Sequence, residues 1–288
     1  MSKIAIMTDS NAGINQEEAV KEGVFVLPMP FYINDQVYFE DIDLTQDQFY
    51  EKLTAGVDIH TSMPSPGATI DFWNNLLKDF DQIIYIPMSS GLSSSCATAA
   101  ALAADDFVGK VFVVDNQRIS ITMKQSVFEA RDMAAAGKTA EEIVDALMRD
   151  KAMSRIYIQM DTLEYLKKGG RLTPAAAAIG TLLKLKPVLK IYGEKLDSFA
   201  KPRSFKQGKQ IMMDQIKKDL KEFLNDPEAK NCRIDIAHTQ NYEAALEFRD
   251  EVRAEFPNQE VWMNPLSLSV SCHIGPGALA IAATKITH

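Results

Sequence analysis

Four short apolar runs, each broken off by a polar stop or a proline, constrain this chain most. Residues 4–7, 24–29, 83–86 and 111–114 are nearly continuous aliphatic stretches. They end at Thr8-Asp9-Ser10, Pro30, Pro87 and Asp115-Asn116. A strand that is apolar on both faces belongs in a parallel sheet covered on both sides. Helical patterns lie at 16–22, 45–54, 68–80, 94–104, 120–136 and 139–148. The segment Thr139-Ala140-Glu141-Glu142 has the form of a capping box. Strands alternating with helices predict an α/β fold, a doubly wound parallel sheet.

The second half reads differently. Strands are predicted at 155–160, 187–192, 196–200, 233–238, 259–263 and 269–274, with Gly193-Glu194 as a hairpin turn. Helices are predicted at 161–168, 174–183, 205–224 and 242–256, and an apolar segment closes the chain after Gly275-Pro276-Gly277. This mixture predicts an α+β domain with a mixed sheet. The expected division is 1–155 and 156–288, closely packed, with a ligand tunnel between or within the two.

A chain of 288 residues can bury a substantial core. Its net charge of -8, with no basic run, argues against nucleic acid or an anionic membrane as the main partner. No stretch approaches the ~20 apolar residues of a membrane helix, so no stable membrane anchoring is expected. Cys96, Cys232 and Cys272 form no CxxC pair, which suits buried thiols in a reducing cytoplasm. Neither His238 nor His273 has a partner at metal-ligand spacing, so no metal site is expected.

The most informative loop is Ser89-Ser90-Gly91-Leu92-Ser93-Ser94-Ser95, between an apolar strand and a helix. Free amides at a helix N-terminus, a tight glycine turn and several hydroxyls make an anion site at the carboxyl end of a parallel strand. The same residues could equally serve as a helix cap. No GxxxxGK[ST] or GxGxxG occurs, so a nucleotide is not the favoured anion. Thr61-Ser62-Met63-Pro64-Ser65-Pro66-Gly67 is a second hydroxyl-rich loop opening a helix, and Asp9 and Ser10 follow the first strand. All three loops are expected on one rim. Asp161–Arg171 ends in Lys167, Lys168 and Arg171, which either offset a helix dipole or form a docking surface; Arg203 in Lys201-Pro202-Arg203 reads likewise. A hydrolase using Ser93 has no GxSxG elbow to support it. Cys272 beside His273, on a predicted strand, would point to the opposite face.

Taken together, TDS at 8–10, TSMPS at 61–65, SSGLSSS at 89–95, VDN at 114–116, DTLEYLKKGGRL at 161–172, KPVL at 186–189 and HIGPGAL at 273–279 resemble the DegV family of bacterial fatty-acid-binding proteins. The resemblance spans nearly the whole chain. It implies a long-chain fatty acid in a buried tunnel, with no cofactor and no catalysis by the chain alone. A separate ATP-dependent fatty acid kinase would phosphorylate the carboxylate, and the acyl phosphate would enter phospholipid synthesis. The family pattern puts the carboxylate on Thr61 and Ser93 with His273 close by; Ser62 and Ser94 adjoin them. Asp9, Ser10, Gly91 and Asp115 would support the rim. Lys167, Lys168, Arg171 and Arg203 would face the kinase, and a monomer is expected. Residues 175–185, small and apolar, are candidates for the tunnel wall or equally an ordinary core helix. The chain departs from the family pattern at Met63 (commonly Gln), Ser94 (commonly Gly) and Asn116 (commonly Ser). A stand-alone Ser-dependent lipid hydrolase or phosphotransferase is the alternative.

Overall fold

The computed structural model describes residues 2–40, 42–178 and 185–288. Its first sheet is wholly parallel, ordered β2-β1-β6-β7, from β2 (Phe25–Leu27), β1 (Ile4–Asp9), β6 (Gln82–Ile86) and β7 (Val111–Val113). These are the four apolar runs. Successive side chains point to opposite faces. Ala5, Met7, Ile83 and Tyr85 pack against α3 (Pro66–Leu76) and α4 (Ser95–Asp106). Ile6, Ile84 and Ile86 pack against α5 (Ser120–Ala135) and α6 (Ala140–Arg149). Ile83 and Ile84 are fully buried, each worth roughly 1.5–3 kcal/mol. The sheet is doubly wound, as predicted. The Thr139 capping box forms: the Glu142 amide donates to Thr139 Oγ1 at 3.3 Å, and the Thr139 amide to Glu142 Oε2 at 2.8 Å.

Strand order turns both ways from β1, towards β2 on one side and β6 on the other. The crevice outside the carboxyl ends of β1 and β6 is where open α/β sheets place ligands. Thr8-Asp9-Ser10 and the serine-rich loop both open there.

A small antiparallel sheet, ordered β4-β3-β5, was not legible in the apolar runs. It comprises β3 (Pro30–Ile33), β4 (Gln36–Phe39) and β5 (Ile59–Thr61), with α1 (Gln16–Glu22) before it and α2 (Gln46–Thr54) inside it. Pro30 read as a stop, but it opens β3, where a missing N–H is tolerated. Asn34 and Asp35 both take positive φ, 47° and 64°, and turn β3 into β4.

The second sheet has six strands, ordered β10-β9-β8-β13-β11-β12. They are β8 (Ser154–Gln159), β9 (Val188–Ile191), β10 (Asp197–Ala200), β11 (Cys232–His238), β12 (Met263–Pro265) and β13 (Leu279–Lys285). The closing apolar segment, which received no assignment from sequence, is β13, antiparallel to both β8 and β11. The predicted hairpin is β9–β10. One face packs on α9 (Phe205–Glu222) and α10 (Tyr242–Glu255) through Met212, Ile216 and Phe248. The other faces α7 (Glu164–Gly169), α8 (Pro174–Ala177) and α11 (Leu268–Ile274). The part of the predicted 174–183 helix from 179 onwards lies outside the described residues.

The strand expected at 269–274 is a helix, α11. Its alternation of Ser with Leu, Val and Cys imitates a half-buried strand, but burial is on every side. Leu268 and Cys272, four apart, pack on Phe49 and Tyr50 of α2. Val270 and Ile274, also four apart, join the core under the six-stranded sheet. Ser267 and Ser269 donate to Asn11 Oδ1. Cys272 and His273 do face apart, but by helical rotation rather than by strand alternation.

Candidate functional site

A cavity of about 370 Å³ lies between the six-stranded sheet, α11, α7 and the loops at the carboxyl edge of the parallel sheet. That volume lies within the range of small-molecule sites. Most of its wall is aliphatic: Ile158, Leu166, Ile191, Val270 and Ile274 among others. At one region the wall turns polar, with Thr61, Ser62, Ser93, Ser94, Arg171 and His273. Thr61, Ser93 and His273 are the three residues that the family pattern implied for the carboxylate, and Ser62 and Ser94 adjoin them. Residues 175–178 are absent from the lining, and most of the remainder of 175–185 lies outside the described residues.

Thr61 ends β5, and its Oγ1 lies 2.9 Å from His273 Nε2 on α11. This contact joins residues 212 apart in sequence. The imidazole is pushed down to about 4, first by burial and then by the neighbouring charge of Arg171. It is therefore neutral at pH 7. Gly169 explains the first glycine of Lys-Lys-Gly-Gly-Arg. A methyl there would run into the His273 ring, so only glycine lets α7 pass so close. Gly275, at φ 74°, lies likewise against the Tyr165 ring.

Ser93 sits before α4, which begins at Ser95. Its Oγ donates to Ser95 Oγ at 3.0 Å and accepts from the Ser95 amide at 3.2 Å. Ser94 is the N-cap of α4 with φ -74°. That is ordinary right-handed backbone, so a serine fits there without strain. Its hydroxyl and that of Thr98 both point at Met63 Sδ, 3.6 Å away in each case. Thus two departures from the family pattern, Met63 and Ser94, touch each other at the polar end. The third, Asn116, is buried and donates to Ser126 Oγ at 2.8 Å, away from the cavity wall.

The expected rim residues act from behind. Asp9 is fully buried and accepts from Asn11 N, Asn11 Nδ2 and Met88 N at 3.0, 2.7 and 3.0 Å. It ties the end of β1 to the loop after β6. Burial raises its carboxyl to about 6 despite those bonds. Ser10 Oγ accepts from the Met29 amide at 3.1 Å. Asp115 accepts from Ser90 N and Oγ at 3.2 and 2.7 Å and pairs with Lys151 at 3.4 Å. Its carboxyl is held low despite burial, chiefly by the Ser90 bonds and then by Lys151. Gly91 packs where the β9–β10 turn leaves no room for a side chain, against Gly193 and Glu194.

The basic residues divide. Lys167, Lys168 and Arg203 are exposed. Arg171 is half-buried and lines the cavity; its guanidinium donates to Gly169 O at 2.5 Å and Leu92 O at 3.4 Å. Sequence reading grouped it with the surface because a basic run at a helix end carries no sign of which member turns inward. The lining residues Ser120 and Asp235 also escaped notice, since neither belongs to a motif. The three cysteines are free and buried, and burial pushes their thiols up to about 12. Among the described residues no acidic, His or Cys cluster could hold a metal, and no helix is long and apolar enough to cross a membrane.

Comparison with known proteins shows the same fold. Protein DegV of Bacillus subtilis (strain 168) is 29% identical over 282 residues, covering 96% of this chain and 98% of that protein. A DegV family protein from Thermus thermophilus, described for fatty acid binding, superposes with a TM-score of 0.89 at 27% identity, over 98% of this chain and 99% of that one. The crystal structure of DegV from Bacillus subtilis, described as a fatty acid binding protein, gives 0.88 at 27% identity, over 99% and 100%. The family description "Uncharacterised protein, DegV family" matches residues 3–285, and the chain belongs to the DegV family.

Proposed function

We propose that this chain binds a long-chain fatty acid and presents its carboxylate to a separate ATP-dependent fatty acid kinase. The observation that carries the binding reading is one cavity, aliphatic over most of its wall, with the Thr61–His273 pair and the serine-rich loop at its polar part. A fatty acid needs that combination. Its tail leaves water at a gain of ~0.8 kcal/mol per CH₂, and its head needs donors. Thr61, Ser93 and a neutral His273 would hold the head, with Ser62, Ser94 and the first-turn amides of α4 beside them. The relatives described as fatty acid binding support the ligand class. Exposed Lys167, Lys168 and Arg203 are the kinase-facing candidates in this reading; Arg171 is reassigned to the cavity. The chain would work as a cytoplasmic monomer without a cofactor. A carboxylate oxygen would take the γ-phosphoryl group of ATP on the partner, releasing ADP.

Extraction of purified protein, followed by mass spectrometry, tests the binding. One fatty acid per chain is expected. Repeatedly empty protein that added fatty acid does not protect thermally would overturn the reading. A stand-alone hydrolase or phosphotransferase would turn over without a partner and fail in Ser93→Ala. Ser93 donates to Ser95 rather than to a base, so the geometry gives that alternative no support.

A further inference from the structure

The cavity is not uniformly apolar away from the Thr61–His273 pair. Sheet register orders its wall. Ile158, Ala280 and Ala237 form one cross-strand row, and Ile156, Ala282 and Asp235 the next. His273 lies on α11, which runs directly into β13 at Leu279. The second row is two residues further along β13, roughly 7 Å deeper. The start of α5, which packs on β11 and β13, completes the wall: Ile119 joins the first row, and Ser120 and Ile121 follow it.

Two polar side chains face this inner region. Ser120 is only 8% exposed and lines the cavity, and among the described residues its hydroxyl has no hydrogen-bond partner. Its backbone holds φ 55°, a conformation that a serine rarely adopts. It stands at the N-terminus of a helix of 16 residues, whose first-turn amides have no intrahelical acceptor. Asp235 is 3% exposed; its Oδ1 accepts from the Trp262 amide at 2.9 Å and from Arg233 Nη2 at 3.4 Å, and its Oδ2 accepts from Arg233 Nε at 3.4 Å, which leaves Oδ2 able to accept one more bond. Burial raises its carboxyl to about 6. Asn11 also reaches the cavity, but its Oδ1 already accepts from Ser267 and Ser269. An unbranched hydrocarbon tail would leave the Ser120 hydroxyl dry and unpaired, which is costly. An oxygen on the tail would satisfy it.

We propose that Ser120 and Asp235 form a second, inner polar subsite that takes a hydroxyl group on the acyl chain, so that hydroxy fatty acids are the preferred ligand class. This rests on the fatty-acid reading above. The hydroxyl of the ligand would accept from Ser120 Oγ and donate to the Asp235 carboxylate.

The test compares stearate with a series of monohydroxystearates whose hydroxyl moves along the chain. Each is titrated into lipid-free full-length protein by calorimetry, in wild type and in Ser120→Gly. Glycine adopts φ 55° readily, so this variant loses the hydroxyl and keeps the backbone. At least one positional isomer should bind roughly three- to tenfold tighter than stearate, the scale of one buried hydrogen bond. Ser120→Gly should abolish that preference, with stearate binding the variant at least as tightly as wild type, because no unpaired hydroxyl is then buried against its tail. If no isomer outbinds stearate, or if the preference survives in Ser120→Gly, the inner subsite is refuted while the fatty-acid reading stands. If stearate itself fails to bind wild type, both fall together.

Discussion

Substituting Gly169 by Ala tests how the Thr61–His273 pair is held. A methyl on Gly169 would place three atoms of the His273 ring, Nδ1, Cε1 and Cγ, within 3.0 Å of it. Restoring van der Waals separation requires the ring to retreat by more than about 1 Å. Its Nε2 already sits 2.9 Å from Thr61 Oγ1, so the retreat drives it into or away from that partner. Overpacking of this kind costs roughly 1–3 kcal/mol, and the lost bond about 0.5–1.5 kcal/mol. Against this, Ala gains about 0.5–1 kcal/mol over Gly in a helix. The expected net loss is about 1–3 kcal/mol. The partner variant His273→Ala removes the ring; in that background Gly169→Ala should stabilise, because only the helix gain remains. Urea unfolding of wild type, both single variants and the double variant gives the cycle, with an expected coupling of about 3 kcal/mol. Lipid-free protein is needed, since any bound ligand adds its own stability. A single variant as stable as wild type, or a cycle with no coupling, would refute the claim that the glycine is there to admit the histidine.

Three further outcomes follow from the same geometry. Thr61→Ala and Ser93→Ala should each weaken fatty-acid binding by roughly 1–3 kcal/mol, since each removes a bond to a charged group; unchanged calorimetric affinity in both would place the head group elsewhere. His273 titrates near 6.5 unfolded but is pushed down to about 4 when folded, so the unfolded chain takes its proton first and the stability it contributes, whole above pH 6.5, is lost as pH falls towards 4. Asp9 and Asp235, raised to about 6, act in the opposite sense across that window, so the readout is the stability difference between wild type and His273→Gln, which should shrink from pH 6.5 to 4.5; a constant difference would contradict a buried neutral imidazole. Asp9→Asn puts an NH₂ where one carboxylate oxygen accepts a hydrogen bond, either from Met88 or from Asn11, and should cost about 1–3 kcal/mol in a denaturant titration at pH 7; no loss would mean that these bonds do not hold the two loops together.

What the sequence made legible was set by the kind of signal. Buried parallel strands announce themselves as continuous apolar runs, and β1, β6 and β7 lie where those runs lie. Helix starts with side-chain caps, such as Thr139 and Thr45, could be placed to within a residue. The errors have a common cause: local pattern overridden by surroundings. Helix α11 is packed on several sides, so its Ser/apolar alternation reports different contacts: Asn11 through Ser267 and Ser269, and α2 through Leu268, Ser271 and Cys272. The small sheet is built from strands of three or four residues, too short for a period to show, though Asn34-Asp35 is a hairpin signal that could have been used. Arg171 and Lys168 are alike in sequence; only the path of the chain beyond Gly170 turns one of them inward.

The same chain path gives the polar end its electrostatic character. Among the described residues lining the cavity, Arg171 is the one permanent cation, and its guanidinium is engaged with the carbonyls of Gly169 and Leu92. It therefore bridges α7 to the serine-rich loop and lends long-range positive potential, with Nε and Nη1 committed to those carbonyls. Its charge also helps keep His273 neutral. On the proposed reading, this decides the chemistry of the head group. A bidentate arginine would occupy both carboxylate oxygens and drain their nucleophilicity. Hydroxyls and a neutral imidazole each take one lone pair and leave others available, so the acid stays oriented, ionised and able to attack a phosphoryl group brought by a partner. A lysine or arginine introduced at Ser94, beside Met63 at the same polar end, should then tighten fatty-acid binding while slowing acyl phosphate formation in a coupled assay with the kinase; tighter binding with undiminished turnover would show that leaving the oxygens free is not what the clamp is for.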